Sequence, residues 1–353
     1  MSDSGRPTLA VVGATGAVGT VMLDLLSTRD YQWGEIRLVA SPRSAGRRLT
    51  VRGEQAEVRP LEPEVFDGVD VAMFDVPDEV SATYAPVAAA RGAVAVDNSG
   101  AFRMEPDVPL VVPEVNAEAA QVRPRGIISN PNCTTLSMIV VIGALDRAYR
   151  VEDLVVASYQ AASGAGQPGI DTLDGQLEKV AGDRTLGSRP GDVREAVGTD
   201  FGPFPAPLAL NVVPWAGSLK DNGWASEELK VRNESRKILG RPDLRVAATC
   251  VRVPVLTTHS LAIHARFARE VDVAGARDVL GAAPGVRLHD APEQGRFPMP
   301  VDVTGTDPTW VGRIRRSLDD ERAFDLFCCG DNLRKGAALN TAQIAELVAG
   351  ELS

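Results

Sequence analysis

A glycine-rich turn between a strand and a helix constrains the fold more than any other feature of this sequence. Residues 9–12 form an apolar run typical of a buried strand, and residues 13–19 follow it directly as GATGAVG. Residues 20–26 then show the apolar spacing of a helix. Glycine lets the backbone approach a pyrophosphate, and the helix N-terminus offers N–H groups to it. This context predicts a dinucleotide site; the alternative is a glycine turn that binds no ligand.

The loop after the second predicted strand, residues 35–40, indicates which dinucleotide would bind. A site for NAD usually carries Asp or Glu near this point to bind the ribose 2′-hydroxyl. This chain has Ser41, Arg43 and Ser44 instead, and two hydroxyls and a guanidinium suit a 2′-phosphate. We therefore expect NADP; the alternative is that residues 43–48 form a basic surface loop.

The first part of the chain alternates strands and helices with short loops, which predicts a parallel, doubly wound sheet of the α/β class. Predicted strands at 69–75 and 93–97 flank a predicted helix at 78–91. Loops after the carboxyl ends of such strands line the ligand crevice, and Arg103 lies on one of them as a candidate anion clamp. A chain of 353 residues exceeds one typical core, so a second domain is expected.

Cys133 lies where a predicted buried strand ending at 126–128 turns into a helix predicted over 136–145. The unpaired N–H groups and partial positive charge of a helix N-terminus favour a thiolate, which is the form that attacks a carbonyl carbon. On its own, a single Cys is more often a small buried residue that packs near a turn.

The second half of the chain has a different composition. Its predicted strands cover residues 154–160, 246–253, 259–267 and 324–328. We expect a mobile glycine-rich loop at 161–166 and irregular structure at 182–208, which is rich in Gly, Pro and Arg. The odd spacing of His259 and His264 places them on opposite faces of their strand, so we do not expect them to act together.

A clear helix is predicted over residues 226–239, with Ser226 as its N-cap. Charged residues follow at the spacing of one helix face, namely Glu227, Lys230, Glu234 and Lys237. Considered alone, this face predicts a solvated stripe of ion pairs.

Charge and cysteine content exclude several classes of function. The net charge of −10 disfavours nucleic acid and anionic membranes as partners. The four cysteines form neither a disulfide framework nor a metal-binding spacing, which fits a reducing cytoplasm and no metal. The N-terminal residues 1–8 lack the apolar segment of a secretory signal.

Together, these motifs resemble the bacterial type of aspartate-β-semialdehyde dehydrogenase. The matching segments span nearly the whole chain in the family's order, and the most specific are SNPNCTT at 129–135 and YQAASGAG at 159–166. The others are GATGAVG at 13–19, ASPRSAG at 40–46, DNSGAFRM at 97–104, VVPEVN at 111–116, EELK at 227–230, RVPV at 252–255, HSL at 259–261 and DNLRKGAALN at 331–340.

The resemblance implies a role for each matching position. It implies that Cys133 is the nucleophile, that Gln160 positions the substrate at the thiol, and that His259 is the general acid–base. The residues implied in substrate binding are Arg252 for the α-carboxylate, Glu227 for the α-ammonium, Arg103 and Lys230 for the phosphate, and Asn132. The residues implied in NADP binding are Gly13, Thr15, Gly16, Ala17, Val18, Ser41, Arg43, Ser44, Ser163, Gly164 and Asn332.

The implied activity is the NADPH-dependent reduction of L-aspartyl-4-phosphate to L-aspartate 4-semialdehyde through a Cys133 thioester, with release of phosphate, on the route to lysine, methionine and threonine. The implied fold is a Rossmann-type dinucleotide-binding domain plus an α+β catalytic and dimerisation domain with a mixed sheet. We place the NADP-binding domain at residues 1–132 plus a C-terminal helix at 331–353, and the other domain at 133–330. The family forms dimers or tetramers, and we expect a homodimer in the cytoplasm.

The chain departs from the family pattern at Thr258, where glycine usually precedes the catalytic histidine. Thr tolerates a positive φ poorly, so a small local backbone adjustment is expected. Pro42, in the phosphate-binding loop, fixes its own φ and leaves Ser41 and Arg43 available.

Two other functions stay open. N-acetyl-γ-glutamyl-phosphate reductase shares the architecture and chemistry, but its substrate has a blocked amine that Glu227 would have no reason to face. A non-catalytic NADP-binding redox switch would use Cys133 alone, and it would leave Gln160, Arg252 and His259 without a role.

Overall fold

The computed structural model describes residues 5–31 and 33–352, which fold into two compact units. The first comprises Met1–Asn132, Arg236–Arg241 and Arg334–Ser353, and the second comprises Cys133–Ser235 and Pro242–Leu333. Residues 1–4 and 353 lie outside the described residues. They include part of the N-terminal segment in which no secretory signal was expected, and both ends of the first predicted domain.

A parallel sheet forms the centre of the first unit. Its strands and those of a small ribbon are β1 (Leu9–Val12), β2 (Ile36–Ala40), β3 (Arg48–Val51), β4 (Glu54–Glu57), β5 (Arg59–Pro60), β6 (Val71–Phe74), β7 (Val94–Asp97) and β8 (Ile127–Ser129). The helices are α1 (Ala17–Thr28), α2 (Asp78–Ala90) and α3 (Pro113–Asn116). The sheet order is β5-β2-β1-β6-β7-β8, while β3 and β4 pair antiparallel. The predicted Rossmann-type sheet is confirmed.

Each face of this sheet has its own apolar core, because successive side chains of a strand point to opposite faces. Leu9 and Val11 of β1 pack into one core with α1. Ala10 and Val12 pack into the other core with α2. The chain leaves β1 for β2 on one side and resumes at β6 on the other, so the sheet order reverses between β1 and β6. Open α/β sheets bind their ligands at such a point.

The second unit combines a mixed sheet with helices. The helices are α4 (Cys133–Tyr149), α5 (Gly166–Val180), α6 (Asp192–Val197), α7 (Ser226–Ile238), α8 (Val273–Ala282) and α9 (Pro300–Val303). The strands are β9 (Val151–Gln160), β10 (Arg245–Arg252), β11 (His259–Phe267), β12 (Val286–Leu288), β13 (Thr309–Arg316) and β14 (Ala323–Gly330). The sheet order is β10-β9-β11-β14-β13-β12, with parallel pairs at both edges and antiparallel pairs between them. The mixed sheet was predicted correctly.

The C-terminal segment completes the first unit. A π-helical turn, Arg334–Ala338, precedes α10 (Leu339–Leu352), and Leu339, Ile344 and Val348 join the core on the α1 face. Short 3-10 turns occur at Pro42–Ser44, Pro63–Phe66, Ala117–Gln121, Ala162–Ala165, Asp221–Gly223 and Pro292–Gln294. Across the described part of the chain, every helix is too short or too polar to cross a membrane.

Some local predictions for the second unit were wrong. The segment at 161–166, expected to be a loop, is a 3-10 turn that continues into α5. Residues 182–208 are irregular as predicted, except for the six-residue helix α6. Ser226 is the first residue of α7 rather than its cap, and its hydroxyl accepts a hydrogen bond from the Ser218 N–H at 2.9 Å. The Glu228 carboxylate accepts instead from the Ala225 N–H at 2.8 Å.

The charged stripe on α7 was also misjudged. Glu227 is 7% exposed and Glu234 is 1% exposed, so this face is not a solvated row of ion pairs. The two carboxylates lie in the second unit, whereas Lys237 belongs to the first and donates to the carbonyls of Arg103, Glu105 and Val108. Burying an ionised carboxylate is unfavourable unless it is paired, so the burial of Glu227 and Glu234 indicates a binding or structural role.

Candidate active site

A cysteine–histidine contact lies at the ends of two elements of the second unit. Cys133 is the first residue of α4, and His259 is the first residue of β11. The Cys133 Sγ lies 3.3 Å from the His259 Nε2. The partial positive charge at the start of α4 favours a negative sulfur. The two residues that sequence analysis nominated for nucleophile and acid–base therefore lie in contact.

The other ring nitrogen of His259 faces the backbone. The Ala161 N–H donates to Nδ1 at 3.1 Å, and His259 is fully buried. Burial lowers the pKa of His259 from 6.5 to about 3; the charge of Arg252 acts in the same direction and that of Glu227 against it. The imidazole is therefore neutral at physiological pH.

Gln160 is the last residue of β9 and carries a buried amide. Its Oε1 accepts from the Ser158 hydroxyl at 3.0 Å, and the side chain is fully buried. Among the described residues, its Nε2 has no hydrogen-bond partner. A buried amide donor without a partner is costly, so this group is available to a ligand.

Arg252 lies beside Gln160, because the two are paired residues of β10 and β9. Arg252 is 7% exposed, and its Nη1 donates to the Ala161 carbonyl at 2.9 Å. It also lines a cavity of about 300 Å³ together with Phe204 and Trp215. Sequence analysis missed these two aromatic residues, since nothing in the irregular stretch around them signals a ligand.

Glu227 and Lys230 form an ion pair on α7. The Lys230 Nζ lies 2.7 Å from the Glu227 Oε1. Glu227 is 7% exposed, whereas the side chain of Lys230 is 38% exposed. Sequence analysis assigned Glu227 to the ammonium and Lys230 to the phosphate of one substrate. In this structure the two side chains neutralise each other.

Thr258 keeps the left-handed backbone that glycine would favour, with a φ of +86°. Its N–H donates to the Asn332 Oδ1 at 2.8 Å, and its hydroxyl lies 2.8 Å from the Thr304 hydroxyl. Asn332 in turn donates to the Ser163 hydroxyl at 2.9 Å. Two residues expected to bind the cofactor therefore hold the backbone that precedes His259.

Gly164 lies in the turn that faces these groups. A Cβ on Gly164 would lie 2.4 Å from the Arg252 Nη1 and 3.1 Å from the His259 Nε2. The absence of a side chain therefore leaves room beside both residues.

In the first unit, the glycine turn fits a dinucleotide. Gly13 has a φ of +97°, and a Cβ there would lie 2.0 Å from the Asp75 carbonyl oxygen at the end of β6. Gly16 occupies the N-cap position of α1, where no side chain bonds the first N–H groups of the helix. A Cβ on Gly16 would have no neighbour closer than 3.4 Å. The turn therefore packs tightly against the sheet at Gly13 and is open above Gly16, where Ala17 and Val18 begin the helix. A pyrophosphate could lie against these N–H groups.

The loop after β2 lies next to this turn. The Thr15 hydroxyl is 3.4 Å from the Ser44 hydroxyl. Ser41 and Arg43 are exposed in the same loop, and no acidic residue follows β2 directly there. The structure brings the predicted cofactor residues of the first unit together.

Arg103 is buried in the first unit at 7% exposed, and its Nη2 donates to the Asn98 carbonyl at 2.7 Å. Asn132 is also buried, at 5% exposed. These two candidates for substrate binding belong to this unit, and Cys133 is the first residue of the other.

A chain of amides in the first unit escaped sequence analysis. The Lys335 Nζ donates to Asn340 at 2.7 Å, Asn340 donates to Asn130 at 2.6 Å, Asn130 to Asn98 at 2.6 Å and Asn98 to Asp75 at 2.8 Å. Each side chain donates to the next one, from the buried ammonium of Lys335 to the carboxyl group of Asp75, whose pKa is raised by burial. Lys335 and the three asparagines lie in motifs quoted above, whereas Asp75 does not, and the contacts join segments that are distant in the sequence.

Two family models match the chain. The semialdehyde dehydrogenase NAD binding domain matches residues 8–122, and the semialdehyde dehydrogenase dimerisation domain matches residues 142–335. The aspartate-semialdehyde dehydrogenases of Corynebacterium glutamicum and Streptomyces akiyoshiensis are each 47% identical to the chain, over 97% and 98% of its length and 99% of theirs. A structure of aspartate semialdehyde dehydrogenase II from Vibrio cholerae, complexed with ASA, matches with a TM-score of 0.90 at 38% identity, over 98% of this chain and 99% of that one.

Proposed function

The chain belongs to the aspartate-semialdehyde dehydrogenase family, and we propose that its reaction, the reductive dephosphorylation of L-aspartyl-4-phosphate to L-aspartate 4-semialdehyde, proceeds through a thioester on Cys133. The observation that carries this proposal is the 3.3 Å contact between the Cys133 Sγ and the His259 Nε2 at the start of α4. A sulfur held there as a thiolate can attack the acyl phosphate. The product leads to lysine, methionine and threonine.

The buried polar groups of the second unit would bind the amino-acid part of the substrate. The planar guanidinium of Arg252 matches an α-carboxylate in two parallel hydrogen bonds. The Nε2 of Gln160, which has no partner among the described residues, would donate to the carbonyl oxygen under attack. Glu227 would accept from the α-ammonium, which is why a substrate with a blocked amine fits this site poorly.

The Glu227–Lys230 ion pair on α7 fits a substrate that carries an ammonium and a phosphate. We propose Lys230 and Arg103 as ligands of the departing phosphate. The ammonium and the phosphate would each replace one partner of the Glu227–Lys230 pair, which lies at 2.7 Å. Substrate binding would then replace one ion pair with two, so the charges of Glu227 and Lys230 would both stay neutralised.

The NAD-binding domain of this family takes a nicotinamide dinucleotide, and we propose NADP as the form bound here. When bound, its reduced nicotinamide supplies the hydride that reduces the thioester. Ser41, Arg43 and Ser44 would bind the 2′-phosphate, and the open turn at Gly16 would take the pyrophosphate together with Gly13, Thr15, Ala17 and Val18. In the second unit we propose Ser163, Gly164 and Asn332 as further contacts.

Turnover of L-aspartate semialdehyde tests the function. The wild type should reduce NADP in a phosphate-dependent manner, and Cys133→Ala should not. Cys250→Ala is the matched control, since Cys250 is buried and burial raises its pKa to about 12; it should retain activity. Absence of wild-type activity with both NADP and NAD would contradict the proposal and favour a redox switch, whereas turnover of the N-acetylglutamyl substrate would favour the reductase.

We propose that the dimerisation domain joins two copies of the chain through the open face of its mixed sheet. Helix α4 packs on strands β9, β11, β13 and β14 from one side. On β9, Val155 is 55% exposed and Tyr159 is 40% exposed, and the Tyr159 ring lies 6.1 Å from the Phe327 ring of β14. An apolar sheet face of this kind usually marks an interface.

Sedimentation of two charged variants tests the dimer. Val155→Glu should shift the enzyme toward monomers. Val122→Glu, at a site 73% exposed in the first unit, should sediment like the wild type. A Val155→Glu variant that keeps the mass of the wild-type assembly would contradict this choice of face. The four free cysteines fit the proposed location in a reducing cytoplasm.

A further inference from the structure

A carboxyl group lies beside the glycine turn of the first unit. Asp75 is the first residue after β6, and its N–H donates to the Val12 carbonyl at the end of β1 at 2.8 Å. The Asp75 Oδ2 lies 3.7 Å from the position of a Cβ on Gly16. Gly16 is the N-cap of α1, where the first N–H groups of the helix are open to a pyrophosphate. Asp75 therefore adjoins the anion site of this unit, although sequence analysis assigned it no role.

Hydrogen bonds determine which oxygen of Asp75 faces the turn. The Asn98 Nδ2 donates to the Asp75 Oδ1 at 2.8 Å, and the Asn98 Oδ1 accepts from Asn130 at 2.6 Å. The amide of Asn98 therefore cannot exchange its nitrogen and oxygen without losing both bonds. Its backbone is also fixed, since the Asn98 N–H donates to the Phe74 carbonyl at 2.9 Å. Among the described residues, Asn98 is the one hydrogen-bond donor to this carboxyl group, so Oδ2 is available to a ligand.

Opposing influences act on the charge of Asp75. Burial raises its pKa, the hydrogen bond from Asn98 lowers it, and the charge of Asp97 at the end of the adjacent strand β7 raises it. The N-terminus of α1 favours the carboxylate. A bound dinucleotide brings a negative diphosphate to the same N-terminus, and a like charge nearby disfavours an ionised carboxyl group. An ionised Asp75 would repel the cofactor, whereas a protonated Asp75 can donate a hydrogen bond to it.

We propose that Asp75 is a cofactor-binding residue that takes up a proton as the dinucleotide binds and donates a hydrogen bond from Oδ2 to a diphosphate oxygen. The proton comes from solvent and returns to solvent when the dinucleotide leaves, so no bond of the cofactor changes. Because Asp75 acts on the cofactor, the inference rests on the proposed function. The affinity for the dinucleotide should then fall as pH rises.

Two amide variants separate the proton of Asp75 from the general charge of this region. Asp75→Asn keeps an oxygen that accepts from Asn98 and places an amide donor at the position of Oδ2, so it imitates the protonated acid at every pH. Asp78→Asn is the matched control, since Asp78 is the exposed first residue of α2 and follows β6 closely. Its Oδ1 accepts from the Gly100 N–H at 2.8 Å, a bond that the amide oxygen can keep. Both variants remove one negative charge, but only the first does so beside Gly16.

Calorimetric titration with NADPH, in buffers of different ionisation enthalpy, measures affinity and proton uptake together. Between about pH 5 and pH 9 we expect the Kd of the wild type to rise relative to that of Asp75→Asn, by up to about tenfold per pH unit. The wild type should also take up as much as one proton more per bound dinucleotide than Asp75→Asn does. Asp78→Asn should follow the wild type in both measurements. The 2′-phosphate of NADPH titrates near pH 6, as phosphate monoesters do, but it contributes equally in all three proteins and is lacking in NADH, which serves as a second probe.

The outcomes distinguish this inference from the assignment of the cofactor. Parallel pH profiles and equal proton uptake in the wild type and Asp75→Asn would overturn the inference and leave the cofactor site standing. Weaker binding by Asp75→Asn at every pH would also overturn it, because the carboxylate would then accept a hydrogen bond from the cofactor. Failure of the wild type to bind either NADPH or NADH would contradict the cofactor site itself and the proposed function with it.

Urea unfolding of the cofactor-free proteins verifies that the variants fold. Burial disfavours the ionised form of Asp75, and Asp75→Asn keeps the hydrogen bond from Asn98. We therefore expect Asp75→Asn to unfold at the same urea concentration as the wild type near pH 5 and at a higher one near pH 8. A midpoint for Asp75→Asn that stays below that of the wild type as pH rises would show that the carboxylate is stabilised where it lies, contrary to the inference.

Discussion

Replacement of Thr258 tests the strained backbone that precedes His259. Its φ of +86° lies beyond the 54–64° of the other non-glycine residues with positive φ in the described chain, and Thr is β-branched. A Cβ in this region costs about 1–2 kcal/mol, and glycine costs about 0.5–1 kcal/mol of extra chain entropy. We therefore predict that Thr258→Gly is more stable than Thr258→Ala by about 0.5–1 kcal/mol, the reverse of the usual order.

Both variants should be less stable than the wild type. Each loses the hydrogen bond to the Thr304 hydroxyl at 2.8 Å, about 1 kcal/mol, and a buried methyl group, about 1 kcal/mol. Thr304 still donates to the Pro300 carbonyl at 2.9 Å, so no buried hydroxyl is left without a partner. Thr258→Ala keeps the strain and should lose about 2 kcal/mol, and Thr258→Gly should lose about 1–1.5 kcal/mol.

Urea unfolding of the cofactor-free proteins measures these differences. Ala262 lies on the same strand, β11, in ordinary extended backbone, and is the matched control. Ala262→Gly should lower the free energy of unfolding, so the order of Ala and Gly should be opposite at the two positions. If Ala is more stable than Gly at position 258 as well, Thr258 does not adopt the positive φ, and the account of how His259 is held is wrong.

Three further predictions concern the cofactor turn, the buried lysine and pH. Gly16→Ala should fold normally and raise the KM for NADP by about tenfold or more, whereas Gly13→Ala, with its Cβ 2.0 Å from a backbone carbonyl, should lose about 3 kcal/mol or more in thermal or urea unfolding. Lys335→Met should cost about 3–5 kcal/mol, because it leaves Glu114, 2.6 Å from the ammonium, buried without that cation; adding Glu114→Gln should recover part of the loss. Burial lowers the pKa of His259 from 6.5 to about 3, so the unfolded chain binds a proton first as pH falls through this range. The wild type should therefore lose about 2 kcal/mol of stability relative to His259→Gln between about pH 7.5 and pH 5, and parallel urea midpoints for the two proteins would contradict this.

The fold was largely predictable because local pattern and packing agree. The strand β1 was placed at its observed bounds, since four apolar residues precede a glycine turn and the sheet buries both of their faces. The helix α5 was missed because glycine and proline near its start, at Gly166, Pro168 and Gly169, are typical of loops. A proline in the first turn costs no helical hydrogen bond, so these residues permit a helix that other contacts then stabilise.

The residues of the candidate site were easier to predict than their surroundings. Cys133, Gln160, Arg252 and His259 lie in specific motifs, and the structure places them in one unit with Cys133 and His259 in contact. The stripe on α7 shows the limit. A spacing of three and four residues identifies a helix face, but burial depends on what packs against that face, and Glu227 proved to be buried.

The orientation of His259 shows most clearly what a motif leaves undetermined. A sequence specifies that an imidazole is present, but it does not specify which group holds the ring. The hydrogen bond to Nδ1 comes from the N–H of Ala161, and every residue except proline carries the same group. Its effect arises because β9 ends one residue earlier and β11 begins at His259, which aligns this amide with Nδ1 at 3.1 Å. Ala161 could be exchanged for many residues without loss of that hydrogen bond, whereas proline at this position would remove it. The placement of the imidazole therefore depends on strand register as much as on the identity of the residue that carries it.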